Sequence, residues 1–379
     1  MAKEQALSDN LRGAIIKKPR SSNLELYRIV CMLMIVAHHF VVNSGVASVG
    51  GPIIDNPRTA NSFFLLLFGA WGKTGINCFL MITGYFMCKS KITVRKFLKL
   101  LMQVVFYIIV IYLVLLVAGY ETTNLRRLVT LFPVWDIDKG FSSCFIVFYL
   151  TIPFWNILVQ NMNKRQHEWL LILLLGCYVG LGSFPTFELT FNYVTWFGII
   201  YLIASYIKLY PQPIFEKKSF WGWMTLASLL LAMISIVGLQ VLFGKAATFF
   251  VSDSNKFFAV AVAVTSFLWF KNINIPQSKM INAIGGSTFG VLLIHANSDA
   301  MRTWLWKDAV DVVGHYALPL GQLAIFSVGV VLIVFMVCNL IDQLRIATLE
   351  KWCFSWYDNK LSAKADAIVN RITSVRNEQ

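Results

Sequence analysis

Ten stretches of about 20 mainly apolar residues restrict this chain's folding more than anything else in it. They lie near 27–47, 62–88, 97–118, 141–159, 168–183, 192–209, 219–243, 257–272, 281–300 and 316–341. In lipid every backbone N–H and C=O has to be satisfied within the protein, and runs of this length achieve it as helices. The expected fold is therefore all-α, a polytopic integral membrane protein with about ten transmembrane helices. The fifth and eighth runs are the shortest, and Gly285 and Gly286 interrupt the ninth. Hydrophobic residues make up 57% of the chain and charged residues 14%, a balance foreign to soluble domains.

The formal charge of +14 raises nucleic acid as a partner, but the cations sit in short clusters between apolar runs rather than along one face. A bilayer and its positive-inside rule account for them, and no nucleic acid is expected. With the N-terminus inside, inner connections hold Lys89, Lys91, Arg95, Lys96 and Lys99, then Lys164 and Arg165, then Lys208, Lys217 and Lys218, then Lys271 and Lys279. The outer connections mix signs, as in Glu121, Arg127, Asp136, Asp138 and Lys139, or Asp299, Arg302 and Lys307. Ten spans return the C-terminus to the cytoplasm. The organisation read this way is a cytoplasmic tail over 1–22, a transmembrane domain over 23–345 and a cytoplasmic tail over 346–379. In the last, Leu361, Ala365, Ile368, Val369, Ile372 and Val375 recur at helical spacing, which suits an amphipathic helix on the inner leaflet; a solvated tail is the alternative. Residues 1–22 lack the short apolar core and cleavage site of a signal peptide, so the first run is expected to stay as an anchor. Seven scattered cysteines, with no CxxC pair and no histidine at ligand spacing, read as core fillers, and no metal is implied.

One run is chemically odd. The stretch LYRIVCMLMIVAHHF, residues 26–40, places Arg28, His38 and His39 in an otherwise lipid-compatible helix. Arg28 and His39 are three turns apart on nearly one face, with a rise of roughly 16 Å, and His38 points about 100° away. If Arg28 lies at the inner surface, His39 lies near the bilayer midplane, where an ionisable group is costly unless it faces a polar cavity or a partner. Histidine serves as a general base near neutral pH and arginine suits phosphate. Glu25, one turn before Arg28, is placed to orient its guanidinium or to form a surface ion pair.

The stretch SNLELYRIVCMLMIVAHHF at 22–40 resembles the first transmembrane helix of the membrane-bound acyltransferase family three, O-acyltransferases of bacterial surface glycans. That family carries Arg, ten residues, then His, which here falls on Arg28 and His39. GKTGINCFLMITGYFM at 72–87 is similar to a second family block, with Thr83-Gly84-Tyr85 where the family has Ser-Gly-Phe/Tyr. Arg95, Lys96 and Lys99 match a family basic motif, with lysine for arginine at two positions. Blocks at 145–156, 197–208 and 287–306 are also similar. The resemblance implies a transmembrane acyltransferase domain over 23–345 in the cell membrane, moving an acyl group, acetyl above all, from cytoplasmic acyl-CoA to a sugar hydroxyl of a surface polysaccharide or its lipid-linked precursor. Acyl-CoA is then a co-substrate, with no permanently bound cofactor. Under this reading Arg28, Arg95, Lys96 and Lys99 hold the donor. His39 is the catalytic base or transient acyl carrier. His38 and Tyr85 line the site, Tyr85 in a tunnel beside His39, and His295 orients the acceptor. Lys73 is expected to reach the outer surface. Partners beyond substrate and bilayer are a second copy of the chain or a separate extracytoplasmic acyltransferase.

The competing class is a multi-pass transporter or flippase of glycan precursors, which broken helices and polar mid-depth residues also suit. Against it stand the lack of an evident internal repeat and of evident acidic residues deep in the membrane to couple ions.

Overall fold

The computed structural model describes residues 20–90, 92–137, 140–187, 189–244 and 246–361. The N-terminal cations before Arg20, the amphipathic pattern beyond Leu361, and Lys91, Asp138, Lys139, Glu188 and Lys245 lie outside the described residues. Among those described the regular structure is entirely helical. Each of the ten runs forms helix, but six are long and apolar enough to cross a membrane: Ser22–Val42, Ala60–Met87, Val94–Val117, Phe141–Asn161, Lys218–Phe243 and Leu320–Lys360. The count of ten is thus not reached on that measure. The fifth run divides into Lys164–Leu175, a π turn Gly176–Gly180 and a 3-10 turn, the sixth and eighth are shorter helices, and the ninth is two short helices.

We label the principal helices α1 (Ser22–Val42), α2 (Ala60–Gly69), α3 (Gly72–Met87), α4 (Val94–Val117), α5 (Phe141–Asn161), α6 (Lys164–Leu175), α7 (Tyr193–Leu209), α8 (Lys218–Phe243), α9 (Phe257–Lys271), α10 (Lys279–Gly286), α11 (Thr288–His295), α12 (Leu320–Arg345) and α13 (Lys351–Lys360). Helix α1 is central, packed by α2, α3, α9, α10, α11 and α12. Tyr27, Cys31, Met32, Val36 and Phe40 along it are buried. Helix α8, by contrast, exposes Leu230, Leu231, Ile234, Val241 and Leu242, the signature of a lipid-facing position.

Three glycines explain how α2 and α3 come so close to α1. A Cβ on Gly69 would lie 2.6 Å from Val41 Cβ, one on Gly72 2.2 Å from His38 Cγ, and one on Gly75 2.8 Å from Ile35 Cγ1. Their spacing of three residues puts a side-chain-free strip against α1, and close backbone approach is a main source of helix affinity in lipid. The interruption at Gly285 and Gly286 has a similar cause: a Cβ on Gly285 would strike Glu25. Of the cysteines, Cys31, Cys78, Cys88, Cys144 and Cys338 are buried thiols, as core fillers should be, while Cys177 is exposed.

Candidate active site

The two histidines of α1 enter a cavity of about 560 Å³ at the end of α1 remote from Arg28. Its walls come from the last turn of α1, the first turn of α3, the connection after α4, the starts of α5 and α7, and the segment after α11. Polar wall residues include Asn43, Lys73, Arg127, Asp136, Tyr193 and Arg302. Lys73 bonds the Tyr193 hydroxyl and lies 3.6 Å from Asp253, so it lines the cavity instead of reaching freely to the surface. Arg302 pairs with Asp299 at 2.7 Å and Arg127 with Glu121 through its Nε at 2.8 Å.

Hydrogen-bond parity fixes the state of the imidazoles. His295 is fully buried, its Nδ1 lies 2.6 Å from the Val291 carbonyl oxygen, and its Nε2 lies 2.9 Å from His39 Nδ1. A carbonyl only accepts, so His295 Nδ1 carries the proton, and in the neutral ring Nε2 then holds the lone pair. His39 Nδ1 must then donate to it, which leaves the lone pair of neutral His39 on Nε2. No hydrogen-bond partner of that nitrogen exists among the described residues. The arrangement is a base whose tautomer and ring orientation are set by a second group held by a third, the logic of catalytic triads. His38 is set independently. Its Nδ1 is 2.6 Å from the Gly69 carbonyl oxygen, so it too donates from Nδ1 and keeps its lone pair on Nε2. The two rings lie 5.8 Å apart, centroid to centroid.

The expected donor residues are elsewhere. Arg28 does not line this cavity. Its guanidinium bonds the buried Glu25 carboxylate at 3.2 Å, and Glu25 also faces Arg20 at 3.5 Å, so Glu25 is shared between two arginines. Arg95, Lys96 and Lys99 cluster at the start of α4 but meet carboxylates and hydroxyls of the protein itself. Arg95 forms a two-point bond to Asp358 at 2.7 and 2.9 Å and lies 4.9 Å over the Phe354 ring; Lys99 pairs with Glu350; Lys96 Nζ is 3.0 Å from Ser90 Oγ. Tyr85 is likewise not beside His39. Since α3 runs antiparallel to α1 with Gly72 against His38, Tyr85 lies about 20 Å further along. There it packs edge-on to Phe267, with the Lys208 ammonium 4.3 Å above it. In the same motif Gly84 lets α3 touch Ala204 of α7, and Thr83 bonds the Phe79 carbonyl. Thr83, Gly84 and Tyr85 thus form a helix contact, while Gly72 and Lys73 at the start of the block line the cavity.

A buried charge network was not read from the sequence. Asp342 and Arg345 are enclosed on α12; Asp342 accepts from Arg345 at 2.8 Å, Tyr107 at 2.9 Å and Gln103 at 3.2 Å, and Arg345 reaches Glu350 at 3.0 Å. Gly290 makes room, since a Cβ there would lie 2.2 Å from Asp342 Cγ. This corrects the expectation of no acidic residue among the spans. The tenth run, read to 341, continues as helix through a π turn Ile346–Glu350 into α13, so the boundary drawn after 345 falls within one helical run. All three bonds fall on Asp342 Oδ1, and its buried Oδ2 has no hydrogen-bond partner among the described residues.

The family model of an acyltransferase domain matches residues 21–339. No curated protein and no solved structure matches the chain. The matched segment begins at the first helix and ends in α12, enclosing every helix that walls the cavity and both partners of the His39–His295 pair. The chain accordingly belongs to acyltransferase family 3 and is a multi-pass membrane acyltransferase.

Proposed function

We propose that this acyltransferase works in the cell membrane with both termini in the cytoplasm, and moves an acyl group, acetyl in the first instance, from acyl-CoA to a sugar hydroxyl. The acceptor is an extracytoplasmic or lipid-linked sugar of a surface polysaccharide. The observation that carries the reading is the hydrogen-bond relay Val291–His295–His39, which leaves a lone pair on Nε2 of a histidine that lines a polar cavity. A base so oriented accepts the hydroxyl proton of an acceptor in the cavity, or takes the acyl group itself. At the other end of α1, Arg28 and the cluster Arg95, Lys96 and Lys99 supply the positive charge that the phosphates of a CoA donor require. Access by the donor to the second group entails its exchange with the Asp358 and Glu350 carboxylates. The mixed signs of the cavity wall suit a hydroxyl-rich acceptor.

The test uses purified protein in sealed vesicles, with labelled acetyl-CoA on one side and envelope glycans on the other. Wild type should release CoA and label the glycan, while His39→Ala should do neither though inserted and folded. A His39→Ala protein with full turnover would remove this histidine from the chemistry, and no turnover by the wild type would refute the donor assignment.

A further inference from the structure

We propose that His38 is a second base of the same site: His39 carries the acyl group, and His38 activates the acceptor hydroxyl. The inference rests on the acyl-transfer reading above and goes beyond it by committing to two steps and two histidines.

Both histidines line one cavity, and the hydrogen bonds found for them among the described residues use Nδ1, not Nε2. The position of His38 is built: the Gly69 carbonyl anchors its Nδ1, and Gly72 has no Cβ where one would lie 2.2 Å from the ring. Chemistry supplies the need for it. Once His39 Nε2 is acylated it has no lone pair, and its Nδ1 faces His295, so His39 is no longer available as a base for the second step. The carboxylates of the cavity are less suited. Asp299 is almost wholly exposed and pairs with Arg302, and Asp136 is exposed on the connection before α5.

In the first step His39 Nε2 attacks the thioester carbonyl carbon, and the C–S bond breaks with its electron pair leaving on sulfur. The thiolate of CoA takes a proton from water on its own side, and the positive charge on the acylated ring is eased as its Nδ1 proton shifts to His295 Nε2. In the second step His38 Nε2 removes the proton of the acceptor hydroxyl while the oxygen attacks the acyl carbon. The C–N bond breaks with its electron pair returning to His39 Nε2, the Nδ1 proton moves back from His295, and the His38 proton passes to water in the cavity. The sum is acyl-CoA plus alcohol giving ester plus CoA, with one proton taken from water on the donor side and one given to water in the cavity.

His38→Asn tests this, because an asparagine Nδ2 takes the place of Nδ1 toward the Gly69 carbonyl and removes only Nε2. Full-length wild type, His38→Asn, His38→Gln and His39→Ala are mixed with labelled acetyl-CoA, first without acceptor and then with envelope glycans. His38→Asn should release a burst of about one CoA per chain and hold the label on the protein, while transfer to glycan falls by about 100-fold or more, the scale of general-base catalysis. His38→Gln should behave the same way. Transfer by His38→Asn at the wild-type rate would overturn the proposal, and so would loss of the burst together with transfer. Wild-type CoA release by His39→Ala would instead refute the acyl-transfer role of His39 itself, a separate result.

Discussion

Replacing His295 with asparagine cuts the relay at one link. Asparagine keeps an N–H near the position of Nδ1, able to meet the Val291 carbonyl, but ends short of His39 Nδ1, which His295 Nε2 now meets at 2.9 Å. His39 then loses the acceptor that selects its tautomer, and it loses it when the ring becomes positive, the stage at which the bond is strongest. Hydrogen bonds to charged groups contribute about 1.5–3 kcal/mol. At about 1.4 kcal/mol per factor of ten, kcat should fall roughly 10- to 150-fold. His295 is fully buried and not among the residues that line the cavity, so under this reading it orients His39 rather than the acceptor expected of it, and KM for donor and acceptor should hold. His295→Gln is the control, since its longer side chain carries an acceptor oxygen to the place of Nε2 and should recover much of the rate. The assay is steady-state release of CoA with each substrate varied in turn, beside thermal unfolding in detergent. Equal rates for His295→Asn and wild type would refute the relay. A loss expressed only in KM, or in proportion to a fall in unfolding temperature, would reduce His295 to a packing residue.

Three further outcomes follow from the packing. Asp342→Ala leaves the buried Arg345 with Glu350 alone and strips Gln103 and Tyr107 of their acceptor. It should destabilise the fold by about 3–5 kcal/mol, as breaking buried pairs does. Asp358→Asn, which breaks the half-exposed pair with Arg95, should cost no more than about 1 kcal/mol, and denaturation of both in detergent checks the contrast. Gly72→Ala puts a methyl 2.2 Å from the His38 ring, so α3 or the ring must move at a cost of about 1–3 kcal/mol. Acceptor transfer should fall with it while donor KM is unchanged; wild-type transfer by Gly72→Ala would show that the site tolerates a displaced His38.

The local parts of this account were open to sequence reading. Helical periodicity alone puts Arg28 and His39 on one stripe, and Glu25 within reach of Arg28, because these relations repeat every turn of any α-helix. The all-helical membrane class follows from apolar runs too long for anything else. What failed was reading across helices. Tyr85 follows a motif that resembles the family's, yet the antiparallel run of α3 carries it to the opposite end from His39. The charges of the basic cluster were legible, but not that Glu350 and Asp358 return to meet them, since those acids follow a span that hydropathy ends at 341. Asp342 escaped notice for the same reason.

By itself the sequence determined the all-helical membrane class, the family and the presence of ionisable groups in the first span, because each depends on short-range composition and spacing. Only the tertiary structure decided what those groups are bonded to. His39 and His295 are 256 positions apart, and nothing local to either specifies the 2.9 Å contact that makes one orient the other. The cavity, likewise, is walled by segments that meet only when α3, α5, α7 and α11 have packed around the centre. A helix settles which way its own side chains point, but the partner of a buried nitrogen is chosen by the helix that packs against it.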